Sequence, residues 1–341
     1  MHNKTKIVLC FFVAIGVCIQ QSLAQKLLLG KSVTLKDKQT GVYYASVQRN
    51  EGDLLYFSLP ISLSEETEDA ILPSSMVADS FVVDGVKYAN GDVVRVKANV
   101  SQHKLVYAEK NEQKELSFVL TSLPLITINR QSDTSFGLDT PVLTQFAIYD
   151  PYCRTDSVSF FTSYANVSLR GATASMMEKK SYKVELVDES FTEENDANLF
   201  GIRTNDSWIL DAAAIDYSRI RNRVCTDVWN KMSTLRDEDM VRNGTQGVYC
   251  ELMLDDTYQG VYCFTDKISR KLLGLKKVDG EGDDAEVRGV LYKCKGNDYG
   301  TSKLKKDEKP WDRYNTDMWY DWNLKYPDDI YDGKVGNLFT T

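Results

Sequence analysis

The sequence predicts an α+β fold rich in strands, in which an antiparallel β-sandwich precedes a mainly antiparallel sheet with a packed helix. Three observations carry that expectation. Short alternating runs separated by Asx-Gly steps fill residues 25–122, strands resume at Leu125 after Leu123-Pro124, and a helical period first emerges at Ile220, Val224, Val228 and Met232.

The chain opens with Lys4 and Lys6 ahead of an uncharged apolar run from Ile7 to Ile19, then Ser22-Leu23-Ala24 before Gln25. This is the pattern of a cleavable secretory signal over residues 1–24. The run counts thirteen residues, short of the roughly 20 that a membrane-spanning helix needs. Cleavage after Ala24 is therefore expected, and with it a secreted, periplasmic or cell-surface protein. Cys18 follows Val17, which is bulkier than the residue lipid processing prefers. No later segment is apolar enough to span a bilayer.

Composition excludes several functions. With 41 basic and 49 acidic side chains the net charge is −8, made more negative by loss of Lys4 and Lys6, which argues against a nucleic-acid surface. His2 leaves with the signal, so His103 alone remains. Any Ser-His-Asp or Cys-His mechanism would run through it, and its place beside Lys104 reads as a half-exposed surface imidazole. Paired-histidine zinc motifs and CxxC pairs are absent. Cys250 and Cys263 flank a tight Asp255-Asp256-Thr257 turn; two hairpin registers put both on one face, leaving a disulfide and two buried thiols equally open.

In order along the first domain, Phe81–Val83 and Val86–Tyr88 flank Asp84-Gly85, Val93–Lys97 follows Asn90-Gly91, and Lys104–Ala108 pairs with Glu115–Leu120. The second domain, residues 123–341, supplies strands at Leu125–Ile128, Thr144–Tyr149, Ser157–Phe161 and Ala165–Leu169. Its helix follows Asp216, with Asp216 or Ser218 as the expected cap. Strands return at Gly247–Leu254, Gly260–Asp266 and Gly289–Lys293. The acidic loop Asp279–Glu286 lacks the alternating ligands of an EF-hand and reads as a solvated turn. The aromatic tail with Trp311, Tyr314, Trp319, Tyr320 and Trp322 reads as cover for a sheet edge, or as a surface awaiting sugars, a partner or more of the fold.

One segment combines a small-residue loop, Arg170-Gly171-Ala172-Thr173-Ala174-Ser175, with Glu178-Lys179-Lys180-Ser181-Tyr182-Lys183. Period-two alternation puts Lys180 on the face of Tyr182, Val184 and Leu186, and Lys179 on the other. An inward ammonium needs an anionic partner, and the loop's backbone N–H groups can serve the same anion. Phosphate is the natural candidate, against the plainer reading of a snorkelling surface lysine.

Taken together, Arg170 to Ser175, Lys179 to Tyr182, Trp208-Ile209-Leu210, Asp216, Arg221-Asn222, Gln259-Gly260-Val261-Tyr262 and Leu291-Tyr292-Lys293 resemble the successive landmarks of the CotH (spore coat protein H) family. These are atypical members of the protein-kinase-like fold, and the resemblance spans roughly residues 123–335. It implies an N-lobe-like sheet and phosphorylation of protein Ser/Thr from ATP with Mg or Mn. Arg170, Gly171 and Ser175 would lie over the phosphates; Lys180, or else Lys179, would contact them. The helix from Ser218 to Met232 would play the part of the packing helix, with Asp227 either its acidic partner for the lysine or a surface carboxylate. At Asp266 the family commonly has glutamate.

Relatives continue into a helical half that carries an aspartate-asparagine pair and a tryptophan-aspartate-x-aspartate motif. Neither is found up to Thr341, so the expectation is a fragment, a truncated product or an inactive remnant. The alternative function is a non-catalytic extracellular or cell-surface binding protein. The expected partner is accordingly a protein substrate or a cell-surface component.

Overall fold

The computed structural model describes residues 34–36, 43–48, 54–60, 62–63, 69–71, 80–89, 92, 94–97, 100, 102–109, 112–155, 159–236, 244–279, 286–294, 317–318 and 322–327. The signal segment, the Asn90-Gly91 turn, the middle of the acidic loop and most of the aromatic tail lie outside them. Two compact units are distinguished: residues 1–220 with 247–265, and residues 221–246 with 266–341.

The first unit begins with ten strands: β1 (Thr34–Lys36), β2 (Tyr43–Gln48), β3 (Leu54–Ser58), β4 (Ser62–Leu63), β5 (Asp69–Ile71), β6 (Ser80–Val83), β7 (Val86–Ala89), β8 (Arg95–Lys97), β9 (His103–Glu109) and β10 (Glu112–Thr121). Seven form a sheet in the order β1-β2-β3-β10-β9-β6-β7, and β4-β5-β8 form another. Alternation dictates the packing, because every second residue faces the same way. Leu55, Phe57, Phe81, Leu105 and Phe118 of the large sheet share a core with Val96 of the small one, the two-sheet packing expected from the hairpin signals, but β3 and β10 pair in parallel where the expectation was antiparallel throughout. His103 departs from the surface reading: it is buried and its Nδ1 lies 2.7 Å from Asp84 Oδ2. Asp84 sits at the left-handed first position of the β6–β7 turn, so its side chain points back toward β9.

The same unit continues with β11 (Leu125–Arg130), β12 (Val142–Tyr149), β13 (Phe160–Arg170), β14 (Ser181–Val187), β15 (Ala197–Leu199), β16 (Arg203–Asn205), β17 (Ser207–Asp211), β18 (Gly247–Leu254) and β19 (Thr257–Asp266). Seven of these close into a barrel in the order β11-β12-β13-β14-β17-β19-β18, and β15-β16 pair separately. The β-rich reading holds, and the expected strands at 157–161 and 165–169 are one strand, β13. What the antiparallel reading lacked is the closure. β11 pairs in parallel with β18, Leu125 opposite Glu251 through Ile128 opposite Leu254, so the sheet has no free edge here. Ile126, Phe146, Tyr182, Trp208, Tyr262 and Phe264 fill the interior. Trp208 stacks on Phe264 at 5.1 Å and donates its indole N–H to Asn205 O at 3.1 Å. Full burial of such a ring contributes about 2–3 kcal/mol.

Sandwich and barrel share a third core. The face of β3 turned away from the sandwich interior presents Leu54 and Tyr56, which pack with Leu125, Tyr149, Met253 and Tyr258 on the barrel's outer wall. Tyr56 stacks on Tyr258 at 5.4 Å. The Ser58 hydroxyl donates to Leu123 O at 2.7 Å, and Glu251 N–H to Pro124 O at 2.8 Å.

In the second unit, helix α1 (Arg221–Arg236) accompanies a sheet in the order β20 (Leu291–Cys294), β22 (Trp322–Tyr326), β21 (Asp317–Met318). The helix inverts the sequence expectation. Its apolar stripe, Val224, Val228, Trp229 and Met232, is about half or more exposed, whereas Arg223 and Asn230 are buried. Arg223 and Asn230 both donate to Thr245 O, so hydrogen bonding decides which side is covered. Asp227 lies 59 % exposed and pairs with Arg223. Asp266 is buried and accepts the Gln246 N–H at 2.8 Å. Asp279 and Glu286, at the ends of the acidic loop, both pair with Arg288. Among the described residues no helix is long and apolar enough to cross a membrane.

Candidate functional site

The small-residue loop leaves β13 at Arg170, which stands opposite Ser181 in the ladder. Gly171 adopts φ +105°, and a Cβ there would sit 2.9 Å from the Ala174 side chain. Only glycine fits so sharp an exit. A 3₁₀ turn follows over Thr173–Met176 and consumes part of the loop's polarity: Ser175 N–H and hydroxyl both reach Ala172 O, at 3.2 and 2.6 Å.

The two lysines behave differently. Lys180, half-buried, donates its ammonium to Ser175 O at 2.8 Å and so ties the loop to the start of β14. Lys179 crosses to the neighbouring hairpin, donates to Val261 O at 2.6 Å, and lies 4.3 Å from the centroid of the Tyr262 ring. Its ammonium passes over Gly260, where a Cβ would approach it to 3.5 Å. Gly260 has φ +83° and marks an irregular step: Leu254 faces Thr257 and Met253 faces Tyr258, but Leu252 faces Gly260. Gln259 is the extra residue of a β-bulge.

That bulge also settles the cysteines. It shifts the register by one, so Cys250 faces Tyr262 and Cys263 faces Tyr249. The two side chains stand on opposite faces, and both remain thiols. The sequence-level expectation of a shared face fails because neither hairpin register included an inserted residue.

A second cation, not singled out in the sequence, comes from the segment after β17. Asp211 Oδ1 accepts Ser181 Oγ and Ala213 N–H, while Ser181 Oγ accepts Ala212 N–H. Asp216 Oδ1 accepts both the N–H and hydroxyl of Ser218; it organises this turn, ahead of the helix that begins at Arg221. Arg219 follows with φ +57°, held by Nη1 on Ala212 O at 2.8 Å and by the Tyr249 hydroxyl on its carbonyl at 3.0 Å. A left-handed arginine costs about 1–2 kcal/mol. Such a conformation survives where the surroundings over-determine it.

Burial first, and the Arg219 guanidinium second, hold the Lys179 ammonium below the usual lysine range. Among the described residues neither cation forms an ion pair with a carboxylate. Basic groups fixed in this way, with no carboxylate partner among the described residues, are chemically suited to meet an anion. Gly171, Ser175, Lys179, Lys180 and Arg219 are thus connected through the loop, β14 and the 211–219 turn. Arg170 stands at the loop's origin. The sequence signal for Arg219 is only its place between the Asp216 turn and Arg221-Asn222; its left-handed backbone is visible in three dimensions alone.

A family model described as "CotH kinase protein" matches residues 167–329, a span that starts within β13 and takes in the loop, both lysines and the β18–β19 hairpin. No curated protein matches the chain.

Proposed function

From the match of residues 167–329 to the CotH kinase family model we propose that the chain is a member of that family, an exported, kinase-like protein that binds the polyphosphate of ATP at Lys179 and Arg219, for transfer to serine or threonine of a protein. The observation that carries this reading is that Lys179, anchored on Val261 O over the Tyr262 ring, and Arg219, anchored on Ala212 O and by the Tyr249 hydroxyl, pair with no carboxylate among the described residues. In it, Lys179 and Arg219 meet the phosphates, and Lys180 fixes the loop whose backbone covers them. The order of preference between the two lysines is thus reversed relative to strand alternation. Gly171 keeps the loop close enough for its N–H groups to contribute.

The fit differs for the two expected cofactors. A nucleotide's phosphates match the cations and the loop. For Mg or Mn, the described residues offer no group of three or more acidic, cysteine or histidine side chains, so by themselves they do not fit the metal. Phosphoryl transfer relies mainly on positioning and charge neutralisation. The residues named here supply that on the phosphate side.

Isothermal titration of the chain with ATP tests the reading. Saturable binding that Lys179→Met and Arg219→Gln each weaken, while Lys183→Met does not, supports it. Absence of saturable binding, with or without divalent metal, overturns it. A second reading, a non-catalytic extracellular binding protein with this fold as scaffold, is favoured by the exposed apolar stripe of α1. It predicts no ATP binding by the same titration.

A further inference from the structure

The sandwich strands end at Thr121, well before the Arg170 loop in the chain, yet a short line of contacts joins them to Lys179. Thr121, the last residue of β10, accepts the Leu123 N–H on its hydroxyl oxygen at 3.0 Å and donates to Glu251 Oε1 at 3.0 Å. Glu251 stands across the β18–β19 ladder from Val261, and Val261 O is the acceptor of the Lys179 ammonium. In parallel, Tyr56 of β3 stacks on Tyr258, the residue immediately before the bulge that lets Lys179 pass over Gly260.

We infer that the sandwich is a positioning element for the phosphate site: Thr121 and Tyr56 fix the β18–β19 hairpin, and the hairpin fixes Lys179. The physical reason is register. A bulge can migrate along a hairpin unless the residues beside it are anchored, and here one flank is anchored by Tyr258 and the other by Glu251. Both anchors are held by the first domain. Slippage by one residue would turn the Val261 carbonyl, and with it the Lys179 ammonium, away from Arg219. The sandwich therefore acts on the site through Glu251, Tyr258 and Val261, without touching a ligand. Its functional weight rests on Lys179 being the phosphate-binding amine, but the positional claim can be tested with no nucleotide present.

The experiment is reductive methylation of the full chain with formaldehyde and cyanoborohydride, with the labelling of Lys179 read against Lys183 by peptide mass spectrometry. Lys183 pairs with Glu185 on β14 and serves as the internal reference. Loosening the joint by Tyr56→Ala or by the milder Thr121→Val is expected to raise the Lys179-to-Lys183 ratio by about threefold or more, within the range for coupling through packed elements. Thr121→Ser, which keeps the donor, should restore the parental ratio. Val83→Ala, in the sandwich's own core, should leave it unchanged at a comparable loss of stability. An unchanged ratio in Thr121→Val, or an equal rise in Val83→Ala, overturns the inference. Should Tyr56→Ala not fold, Thr121→Val alone decides. Failure of ATP binding with the expected labelling pattern would sink the function proposed above and leave the positioning intact.

Discussion

Glu251 and Val261 face one another across the β18–β19 ladder, one bonded to the sandwich and the other to Lys179. This pair places a half-buried carboxylate and a lysine acceptor on a single rung. The electrostatics of the two ends give separate, measurable consequences.

At the lysine end, the depressed pKa of Lys179 means that its charge is lost at a lower pH than that of an ordinary lysine, near 10.4. Polyphosphate affinity is expected to fall as pH rises through the alkaline range, earlier than for a surface lysine site. Lys179→Met should cost about tenfold or more in affinity and flatten that dependence. Titration calorimetry at several pH values checks this; a pH profile identical in the variant and the parent would refute it.

At the carboxylate end, burial raises the pKa of Glu251 while the Thr121 hydroxyl opposes the shift. Because the folded-state pKa lies above the unfolded one, the buried charge destabilises the fold fully above the folded pKa. That penalty fades as pH falls toward the unfolded value of about 4.3. Glu251→Gln, which retains an acceptor for Thr121, should therefore be more stable than the parent at pH 7 and no different at the acidic end. Thermal unfolding across that range decides it, and a gain independent of pH would contradict the assignment.

Arg219→Gly separates strain from function. Removal of the left-handed penalty returns about 1–2 kcal/mol, offset by loss of the Ala212 contact and by the flexibility of glycine. Stability should stay within about 1 kcal/mol of the parent, while polyphosphate affinity drops. A variant that binds normally would remove Arg219 from the site.

The opposed faces of Cys250 and Cys263 predict resistance to oxidation. After mild oxidant treatment of the folded protein, both should alkylate on unfolding without reductant. A mass loss of about two hydrogens confined to the peptide pair would show that the hairpin adopts a register without the bulge.

Much of this fold was legible in the sequence because hairpin signals are local. The Asp84-Gly85 turn, the β9–β10 pair and the strands at Leu125, Thr144 and Gly247 follow from alternation and turn residues within a few positions. The closing pair of the barrel was not legible, since nothing near Leu125 points to Glu251. Nor was the bulge: Gln259-Gly260 resembles any strand entry until its register with Leu252 is known. The lysines illustrate both cases. The loop beside them marked both as candidates, but the ladder begins only at Ser181, so period two could not be extended back to decide between Lys179 and Lys180. The α1 stripe misled because periodicity reports amphipathicity but not which side is covered.

The parallel pairing of β11 with β18 also sets an order in time. Leu125 leaves the ribosome long before Glu251, its ladder partner, and the closure of so long a loop is entropically slow. Until β18 arrives, β11 offers an unpaired edge and an uncovered apolar side. A nascent chain halted before residue 254 has every earlier strand of the barrel and still no barrel, so stalled or cleaved precursors of that length should be the species that chaperones hold and proteases clear.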